Sequence, residues 1–336
     1  MRRQTMLARA LSVGGTAYCA ALVAAEALSA LGVRPWWLAI AHDVLAPILF
    51  APVAALGLLA LALRMRALGA AVAAAALAFA LAFQAALVPP SPTAPTAPAR
   101  QLRVATYNQL IANTQIDTML ATIRRQDADL VAIQELSHDL AAAIQRDMAG
   151  EYPYQWLVPS YNADGLGLIS RYPLDRQEQA SAYRGLRAVI HVDGALITVV
   201  NVHPHIPFAA SGIRRPSDVL RALASYGTSP RQGEIEALVA MASQVPGPMI
   251  VLGDFNTSDR DPLYAQLAAV FHDSYRQSSW GFGATFPSPQ SDMLPFPIVR
   301  IDYIWLRGPL AAIASQVDCD SGGSDHCLYV ADVALP

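Results

Sequence analysis

Three long apolar runs fill the first quarter of the chain, near residues 11–31, 37–63 and 67–88. Because a helix needs about 20 apolar residues to cross a bilayer, each run predicts one transmembrane helix. Arg34 interrupts the pattern between the first and second runs, and Arg64 does so between the second and third. Pro47 and Pro52 predict a kink in the second run. Residues 1–88 are therefore predicted to form an all-α transmembrane region of about three helices.

The placement of arginines predicts how these helices are oriented. Three arginines precede the first run and two precede the third, namely Arg2, Arg3, Arg9, Arg64 and Arg66. Because positively charged segments stay in the cytoplasm, three spans would put the chain after Val88 on the extracytoplasmic side. Residues 89–100 are rich in Pro, Thr and Ala, which predicts a semi-extended linker.

From residue 101 to residue 336 the pattern changes to short apolar runs that predict a separate α/β domain. Strands are predicted over residues 102–107, 129–133, 165–171, 187–192, 195–202, 249–252, 300–305 and 328–333, with helices over 115–126 and 231–244. Asp193-Gly194 between two alternating runs predicts a β-hairpin. The first strand–helix–strand unit predicts adjacent strands whose polar ends meet at one edge of a sheet.

Polar side chains follow the apolar strands. Asp254 and Asn256 come directly after a buried strand that Gly253 ends, and on an extended backbone they point the same way. Asn108 and Glu135 end two successive strands and are expected to be neighbours. Eight such residues end or flank predicted strands, namely Asn108, Glu135, His203, Asp254, Asn256, Asp302, Asp325 and His326. Each one alone is more often a turn former, a cap or a structural side chain, but eight together predict one common site.

Composition qualifies this picture. From Arg100 onward, 24 acidic residues face 17 arginines, and the chain has no lysine. Because affinity for a phosphate backbone comes from cations, the acidic domain is a poor generic nucleic-acid binder, although a bound metal and a local arginine cluster would still permit a nuclease. Cys319 and Cys327 flank residues 324–326. They fit either two unrelated buried cysteines or a disulfide that braces this loop and requires an oxidising compartment.

The residue types at these strand ends favour phosphoester chemistry. Asn108, Glu135, Asp254 and Asp325 offer hard oxygen ligands, which suit Mg²⁺, with Mn²⁺ or Ca²⁺ as substitutes. The sequence has no Cys/His pattern at zinc-finger spacing, no P-loop and no Gly-x-Ser-x-Gly elbow. These absences argue against a zinc-finger protein, a P-loop NTPase and a serine hydrolase.

Roles follow for the remaining side chains. Asp254 is placed to orient or deprotonate water, and Asn256 can donate to a phosphoryl oxygen. His326 would be aligned and kept cationic if Asp302 holds its other ring nitrogen, although Asp302 could also pair with Arg300. His203 offers a second contact to the phosphate or the leaving group.

Residues 101–335 resemble the endonuclease/exonuclease/phosphatase superfamily, which has the DNase I-like fold. The motifs that carry the resemblance occur in the family's order: Thr106-Tyr107-Asn108, Gln134-Glu135, Leu168-Ile169-Ser170-Arg171-Tyr172-Pro173, Asn201-Val202-His203, Gly253-Asp254-Phe255-Asn256, Arg300-Ile301-Asp302-Tyr303-Ile304 and Ser324-Asp325-His326.

The resemblance implies a four-layer α/β/β/α sandwich with the site at one end of two packed sheets. It implies that Asn108 and Glu135 bind a divalent metal with Asp325 nearby, and that Asp302 pairs with His326. It also implies a partner for His203, for which Tyr161, Asn162 and Asp164 are the nearby candidates. The membrane-tethered layout looks like that of bacterial inner-membrane members, so a multi-pass inner-membrane protein with an extracytoplasmic catalytic domain is expected.

The expected activity is hydrolysis of a phosphodiester by a metal-dependent, nuclease-like enzyme. A phospholipid or sphingomyelin headgroup phosphodiesterase, or a phosphomonoesterase, is the alternative, and a binding module on a hydrolase fold is the non-enzymatic one. Arg214 and Arg215 follow His203 and fit either contacts to a phosphate-rich substrate or solvated surface arginines. Trp280, Phe282 and Phe286 fit core packing better than the mouth of a substrate site. The sequence indicates no obligate protein partner.

Overall fold

The computed structural model describes residues 2–90, 100–208, 216–227 and 229–335. The chain forms two compact units. The first comprises residues 1–88 and 210–226, and the second comprises residues 89–209 and 227–336. The predicted boundaries at residues 88 and 101 stay predictions, and the assignment of residues 210–226 to the first unit was not foreseen.

Helices occur in both units. They are α1 (Arg2–Ala30), α2 (Trp36–Ile40), α3 (Ala46–Phe50), α4 (Pro52–Ala62), α5 (Arg66–Ala82), α6 (Gln84–Leu87), α7 (Ile116–Arg125), α8 (His138–Asp147), α9 (Pro216–Ala224), α10 (Arg231–Gln244), α11 (Pro262–Ala268) and α12 (Ser274–Ser278). A π-helical turn, Ala41–Leu45, joins α2 to α3.

The first unit is helical, and its spans differ from the three predicted. In the described part of the chain, one helix, Ala8–Ala30, is long and apolar enough to cross a membrane. Trp36–Phe50 and Pro52–Ala62 reach that length only as a pair, bent by 43°. Arg66–Ala82 is apolar but shorter. The described helices therefore provide one candidate span, or two if the bent pair counts as one. The bend falls at Pro52, where the ring removes a helix hydrogen bond.

A cluster of polar side chains lies among the helices of this unit. Asp43 is buried and forms an ion pair with Arg34, and Nδ1 of His42 lies 3.0 Å from the same carboxylate. Nε2 of His42 lies 3.4 Å from Glu26, and the hydroxyl of Tyr226 donates to Asp43 over 3.1 Å. These contacts satisfy charges that would otherwise be costly in an apolar helical unit.

The second unit contains two six-stranded sheets. Its strands are β1 (Gln101–Asn108), β2 (Leu130–Gln134), β3 (Tyr154–Val158), β4 (Leu166–Ser170), β5 (Leu174–Ala180), β6 (Gly185–Val192), β7 (Ala195–Val202), β8 (Met249–Asp254), β9 (His272–Asp273), β10 (Asp302–Arg307), β11 (Ala311–Asp318) and β12 (Leu328–Ala334). One sheet has the order β11-β12-β1-β2-β4-β3 and the other the order β5-β6-β7-β8-β10-β9. Both are mixed, with parallel pairs at β1/β2 and β7/β8.

Alternation along the strands builds the layers. In β1, Leu102 and Val104 lie in the core between the two sheets, whereas Ala105 and Tyr107 pack against α7 and α8. The second sheet behaves likewise and packs its outer face against α10 and α11. The result is the predicted four-layer α/β/β/α sandwich, because each sheet buries both of its faces.

The eight strands predicted from the pattern are all present, and so are the two predicted helices. The hairpin between β6 and β7 turns at Asp193 and Gly194, whose φ values of 48° and 88° suit a two-residue turn. The strand predicted over 300–305 begins two residues later, at Asp302. The strands that the pattern did not predict are β3, β5, β9 and β11.

Candidate active site

The site lies at one end of the sandwich, where strand alternation carries polar residues onto the inner faces of both sheets. Asn108 continues the inward series of Leu102 and Val104 in β1. Asp254 continues the series of Ile250 and Leu252 in β8 and lies opposite Asp302 in the register of β8 with β10. Side chains that point inward from a strand are two residues apart. The last inward side chain of each strand, Asn108 in β1 and Asp254 in β8, therefore lies at the edge of the apolar core.

Asp254 is the centre of this cluster and is buried. Its Oδ2 accepts a hydrogen bond of 3.0 Å from the amide of Asn108, and its Oδ1 accepts one of 2.8 Å from the backbone N–H of Asn256. Two histidines face Oδ2, with Nε2 of His203 at 3.5 Å and Nε2 of His326 at 3.6 Å. Burial alone would raise the pKa of Asp254, but His326 and His203 lower it to about 2. Asp254 is therefore a carboxylate at neutral pH.

Glu135 follows β2 directly and faces the same point. Its Oε2 accepts a hydrogen bond of 2.8 Å from the backbone N–H of Ile111, and its Oε1 lies 3.2 Å from the amide nitrogen of Asn108. Asn108 and Glu135 are thus neighbours, as the strand–helix–strand unit predicts. Its φ of 56° places Glu135 in the left-handed region. Such backbone strain, about 1–3 kcal/mol, clusters at functional sites.

His326 and Asp302 form a buried pair. Nδ1 of His326 lies 2.9 Å from Oδ2 of Asp302. Burial lowers the pKa of His326, but the carboxylates of Asp302 and Asp254 outweigh it and raise the value to about 10. The hydroxyl of Thr285 accepts a hydrogen bond from the backbone N–H of Asp302, which holds the start of β10. Arg300 pairs instead with Asp273, at 2.7 Å, so the alternative partner for Asp302 is ruled out.

His203 is held by a backbone group. Its Nδ1 lies 3.0 Å from the carbonyl oxygen of Ala163, so Nδ1 donates and Nε2 faces Asp254. Of the candidates from the sequence, Asp164 pairs with Arg184 at 2.5 Å, and neither Tyr161 nor Asn162 contacts the ring through a described hydrogen bond. Burial lowers the pKa of His203, yet Asp254 and Glu135 raise it overall.

Asn256 lies at the rim beside Asp254. Its amide nitrogen donates to the carbonyl of Pro204 over 3.1 Å, and its φ is 50°, a conformation that Asn tolerates better than most residues. Gly253 has to be glycine at this point, because a Cβ there would lie 2.0 Å from the carbonyl oxygen of Val202. The tight approach of β7 and β8 brings His203 and Asp254 together.

A metal ion could be held in two places. Among the described residues, Asp254, Asp302 and His326 offer ligand atoms within 4.8 Å of one another. The set expected from the sequence, Asn108, Glu135 and Asp325, lies at the same end. Burial raises the pKa of Asp325, and Glu135 and Asp254 add to that rise, whereas His326 opposes it.

The chemistry of the donors fits a hard divalent cation. Asp254 is ionised and buried, Glu135 is mostly buried, and both carboxylates lie together without an arginine within ion-pairing distance in the described parts of the chain. Clustered oxygen donors of this kind suit Mg²⁺ or a similar ion.

Two buried amides behind the site were not singled out as site residues by the sequence. Nε2 of Gln134 donates to Oδ1 of Asn201 over 2.7 Å, and Nδ2 of Asn201 donates to the carbonyls of Ile133 and Gly167 at 3.0 and 2.8 Å. Thr106 donates to Gln134 from the first sheet. This network joins the two sheets next to the site, because Gln134 directly precedes Glu135 and Asn201 lies two residues before His203. This network could have been predicted from the sequence, because its residues are polar and occupy inward positions of otherwise apolar strands.

A disulfide joins Cys319 to Cys327 and encloses residues 324–326. It rules out the expectation of two unrelated buried cysteines. Within the loop, the hydroxyl of Ser324 donates to the carbonyl of Asn108 and accepts from the backbone N–H of His326 over 3.0 Å.

The structure bears differently on the predicted substrate arginines and on the three aromatic residues. Arg214 and Arg215 lie outside the described residues. Trp280 and Phe282 are exposed, which contradicts core packing, and Phe286 packs against the His326 ring with centroids 4.9 Å apart.

A sequence profile described as the Endonuclease/Exonuclease/phosphatase family matches residues 105–326 of the chain. The chain belongs to this family. Endonuclease/exonuclease/phosphatase proteins hydrolyse phosphoesters and are typically dependent on a divalent metal. No curated protein matches the sequence of the chain.

Solved structures of the endonuclease/exonuclease/phosphatase fold resemble the second unit. TDP2 of D. rerio, complexed with a single-strand DNA product, matches with a TM-score of 0.54 at 15% identity, over 70% of this chain and 99% of that one. A family protein from Bacteroides thetaiotaomicron gives a TM-score of 0.52 at 16% identity, over 71% and 100% of the two chains. One from Bacteroides vulgatus gives 0.51 at 18% identity, over 70% and 100%. These likenesses show the fold.

Proposed function

We propose that this protein is a membrane-anchored, divalent-metal-dependent phosphodiesterase of the nuclease-like kind. The observation that carries the proposal is the placement of an ionised Asp254 between two histidines and beside Asn108 and Asn256. A water molecule, a phosphoryl group and a leaving oxygen each find a polar partner in such a cluster.

Asp254 orients the attacking water and accepts its proton as the new P–O bond forms. His326, cationic through its pair with Asp302, binds an equatorial phosphoryl oxygen, and the amide of Asn256 donates to another. His203 in its cationic form, which Asp254 and Glu135 favour, gives its Nε2 proton to the leaving oxygen as the old P–O bond breaks and keeps the Nδ1 proton. The fixed Nδ1 contact to Ala163 supports this role, because it aims Nε2 at the reaction centre.

We assign the metal to Glu135, with Asn108 and Asp325 nearby, rather than to the group of Asp254, Asp302 and His326. Nδ1 of His326 is already hydrogen-bonded to Asp302, a contact that favours the histidine cation, whereas a ligating histidine must be neutral. Asn108 turns its amide nitrogen toward the carboxylates, so it could act as a ligand only with the amide reversed. Mg²⁺, or Mn²⁺ or Ca²⁺ in its place, would supply Lewis-acid stabilisation of the phosphoryl charge.

A headgroup phosphodiesterase or phosphomonoesterase acting on phospholipid is the second candidate. The apolar N-terminal helices support it, because they would hold the enzyme at a lipid surface. The exposed side chains of Trp280 and Phe282 could contact either the apolar part of a lipid or a nucleobase. Arg214 and Arg215 are proposed substrate contacts on their sequence position alone. A pure binding module is disfavoured, because Glu135, Asp254, Asn256, Asp302 and His326 are all present.

We propose an inner-membrane location with the second unit on the extracytoplasmic side, which the single span Ala8–Ala30 gives when the arginines before it stay in the cytoplasm. The Cys319–Cys327 disulfide supports the side, because disulfides persist in oxidising compartments. The helix Ala8–Ala30 supports anchoring, although a signal sequence has the same length and composition. A reporter fused after Pro336 that is active only in the cytoplasm should be silent; an active reporter would refute the orientation.

The function is tested on the purified full-length protein in detergent, with supercoiled DNA, RNA, sphingomyelin, phosphatidylinositol phosphates and nucleotides as substrates and the metal varied. Bis-p-nitrophenyl phosphate reports generic diesterase activity. We expect hydrolysis with Mg²⁺ that EDTA and Asp254→Asn each abolish. Hydrolysis that survives both would refute the mechanism, and the preferred substrate decides between the nuclease and the lipid enzyme.

A further inference from the structure

We propose that Arg184 is a positioning residue that holds His203 in the orientation for leaving-group protonation. The inference rests on the proposed function, because it assigns Arg184 a task in the same reaction. Three groups of contacts carry it, and each involves a different face of the arginine.

The first contacts join Arg184, through its carbonyl and its Nε, to the backbone of His203. The N–H of His203 donates to the carbonyl of Arg184 over 3.0 Å, and Nε of Arg184 donates back to the carbonyl of His203 over 2.8 Å. This reciprocal pair fixes the peptide groups on both sides of the His203 Cα. The imidazole can then move only by side-chain rotation.

The second contact restrains that rotation. Nη2 of Arg184 donates to Oδ1 of Asp164 over 2.5 Å, and the residue before Asp164 is Ala163, whose carbonyl accepts from Nδ1 of His203. The guanidinium of Arg184 therefore links the loop that contains Ala163 and Asp164 to the end of β7, where His203 lies. Asp164, a predicted partner of His203, acts through this arginine and does not touch the ring.

The third contact anchors the guanidinium itself. Nη1 of Arg184 lies 3.4 Å from Nε2 of His205. The other ring nitrogen of His205 lies 2.5 Å from Glu234, and the backbone N–H of His205 donates to the same carboxylate over 2.8 Å. Glu234 is buried on α10, so the chain of contacts ends on a rigid helix.

The backbone of Arg184 is adapted to these contacts. Its φ of 48° lies in the left-handed region, which is uncommon for a residue other than glycine. That conformation precedes β6 and lets both the carbonyl and the side chain of Arg184 face His203. A planar guanidinium with five donors can serve three acceptors in fixed directions, whereas a lysine ammonium offers one point of charge.

Arg184 also borders a cavity of about 370 Å³, together with Asp164, His203, His205 and Glu234. Because the Arg184 side chain borders open space, a lysine in its place removes few packing contacts and causes no steric clash. A substitution here consequently reports on lost hydrogen bonds rather than on disrupted packing.

The test compares Arg184→Lys with wild-type full-length protein on methyl p-nitrophenyl phosphate and methyl phenyl phosphate, with Mg²⁺. The leaving groups are phenol and p-nitrophenol. Phenol is the weaker acid, so its departure depends more strongly on protonation by His203. A misplaced catalytic group costs up to about 100-fold, so we expect kcat for the phenyl ester to fall by roughly 10- to 100-fold. The p-nitrophenyl ester should lose less than about threefold, with KM nearly unchanged for both.

Arg187→Gln is the matched control. Arg187 lies within β6, three residues after Arg184, and pairs with Glu178 at 3.0 Å. Both esters should be hydrolysed at the wild-type rate by this variant. Thermal melting of each variant checks folding. If Arg184→Lys does not fold, Asp164→Ala tests the same link, and it should show the same dependence on the leaving group.

A second measurement separates the inference from the proposed function. In a His203→Ala background, Arg184→Lys should cause no further loss on either ester. An undiminished loss in that background, or equal losses on the two esters, overturns the positioning role while the phosphodiesterase stands. A wild-type protein that hydrolyses neither ester with Mg²⁺ overturns the proposed function and the inference together.

Discussion

Nδ1 of His326 lies 2.9 Å from Oδ2 of Asp302, and both side chains are buried. Burial and the nearby Asp254 raise the pKa of Asp302 although the His326 cation lowers it. We take the pair to be imidazolium and carboxylate at neutral pH, because the short contact and the second carboxylate of Asp254 both favour the cation.

Asp302→Asn is expected to move the alkaline limit of activity to lower pH. The pKa of His326, about 10, lies above its ordinary value of 6.5, so the cation is present below that pH and is lost as the pH rises through it. Removing the charge of Asp302 lowers this pKa by about 1–3 pH units. The measurement is kcat/KM against pH with a chromogenic diester. An alkaline limb at the wild-type position would show that the cation is not required.

Asp254→Asn is expected to lower kcat by about 10²–10⁴-fold, because the amide cannot accept a proton from water. The pKa of Asp254, about 2, predicts that the wild-type carboxylate stays ionised throughout the neutral range. Asp175→Asn is the control, since Asp175 is an exposed carboxylate that pairs with His191 at 2.7 Å. The idea fails if the two variants have similar steady-state rates.

Cys319→Ser with Cys327→Ser is expected to destabilise the second unit by about 2.5 kcal/mol, because the short enclosed loop gains freedom in the unfolded chain. For a domain of this size the loss corresponds to a melting temperature lower by about 5–10 °C. Activity should fall too, since the loop carries His326.

Cys19→Ala, which leaves the disulfide intact, is the comparison for the cysteine variants. Thermal melting and initial rates are measured for both. A double serine variant that melts and turns over like Cys19→Ala would show that the loop needs no brace.

Asn201→Val is expected to destabilise the protein by about 3 kcal/mol. The substitution leaves Nε2 of Gln134 and the carbonyls of Ile133 and Gly167 buried without their partner, and each orphaned group costs about 1–3 kcal/mol. Leu196→Ala, at an exposed position on the same strand, should change stability by less than about 0.5 kcal/mol. Chemical denaturation measures both, and similar midpoints would refute the bridging role.

The pattern of the sequence predicted the interior of both sheets and missed their edges. The strands at the four edges are β3 and β11 in one sheet and β5 and β9 in the other. An edge strand pairs on one side only and leaves more of itself in water, so its apolar pattern is weak. β5 illustrates this, because five of its seven residues are exposed. β9 is only two residues long.

The apolar N-terminal runs show a different limit. Length and hydropathy predicted three spans, but a turn, a π-helical segment and a proline bend divide the helices. Of the helices that the structure describes, Ala8–Ala30 alone is long and apolar enough by itself. Composition indicates where a chain is apolar. Continuity of the helix depends on backbone geometry at a few residues such as Pro52.

The residues that end the buried strands could be identified from the sequence, because alternation and a terminal polar side chain are local properties. Asn108, Glu135 and Asp254 were selected in this way, whereas Asp302 was placed inside a predicted strand and begins β10 in the structure. Which of these side chains touch depends on how the two sheets pack, because Asn108 and Asp254 meet across the sheets although 146 positions separate them.

The tertiary structure also decided the partners that are backbone groups or distant side chains. A carbonyl carries no sequence signature, so the bond from His203 to Ala163 could not be predicted, nor could the link through Arg184 that supports it. Likewise, the pairing of Cys319 with Cys327 depends on the loop bringing two thiols together. Local pattern fixes the chemical groups at a strand end, whereas packing of the two sheets fixes the distances between those groups.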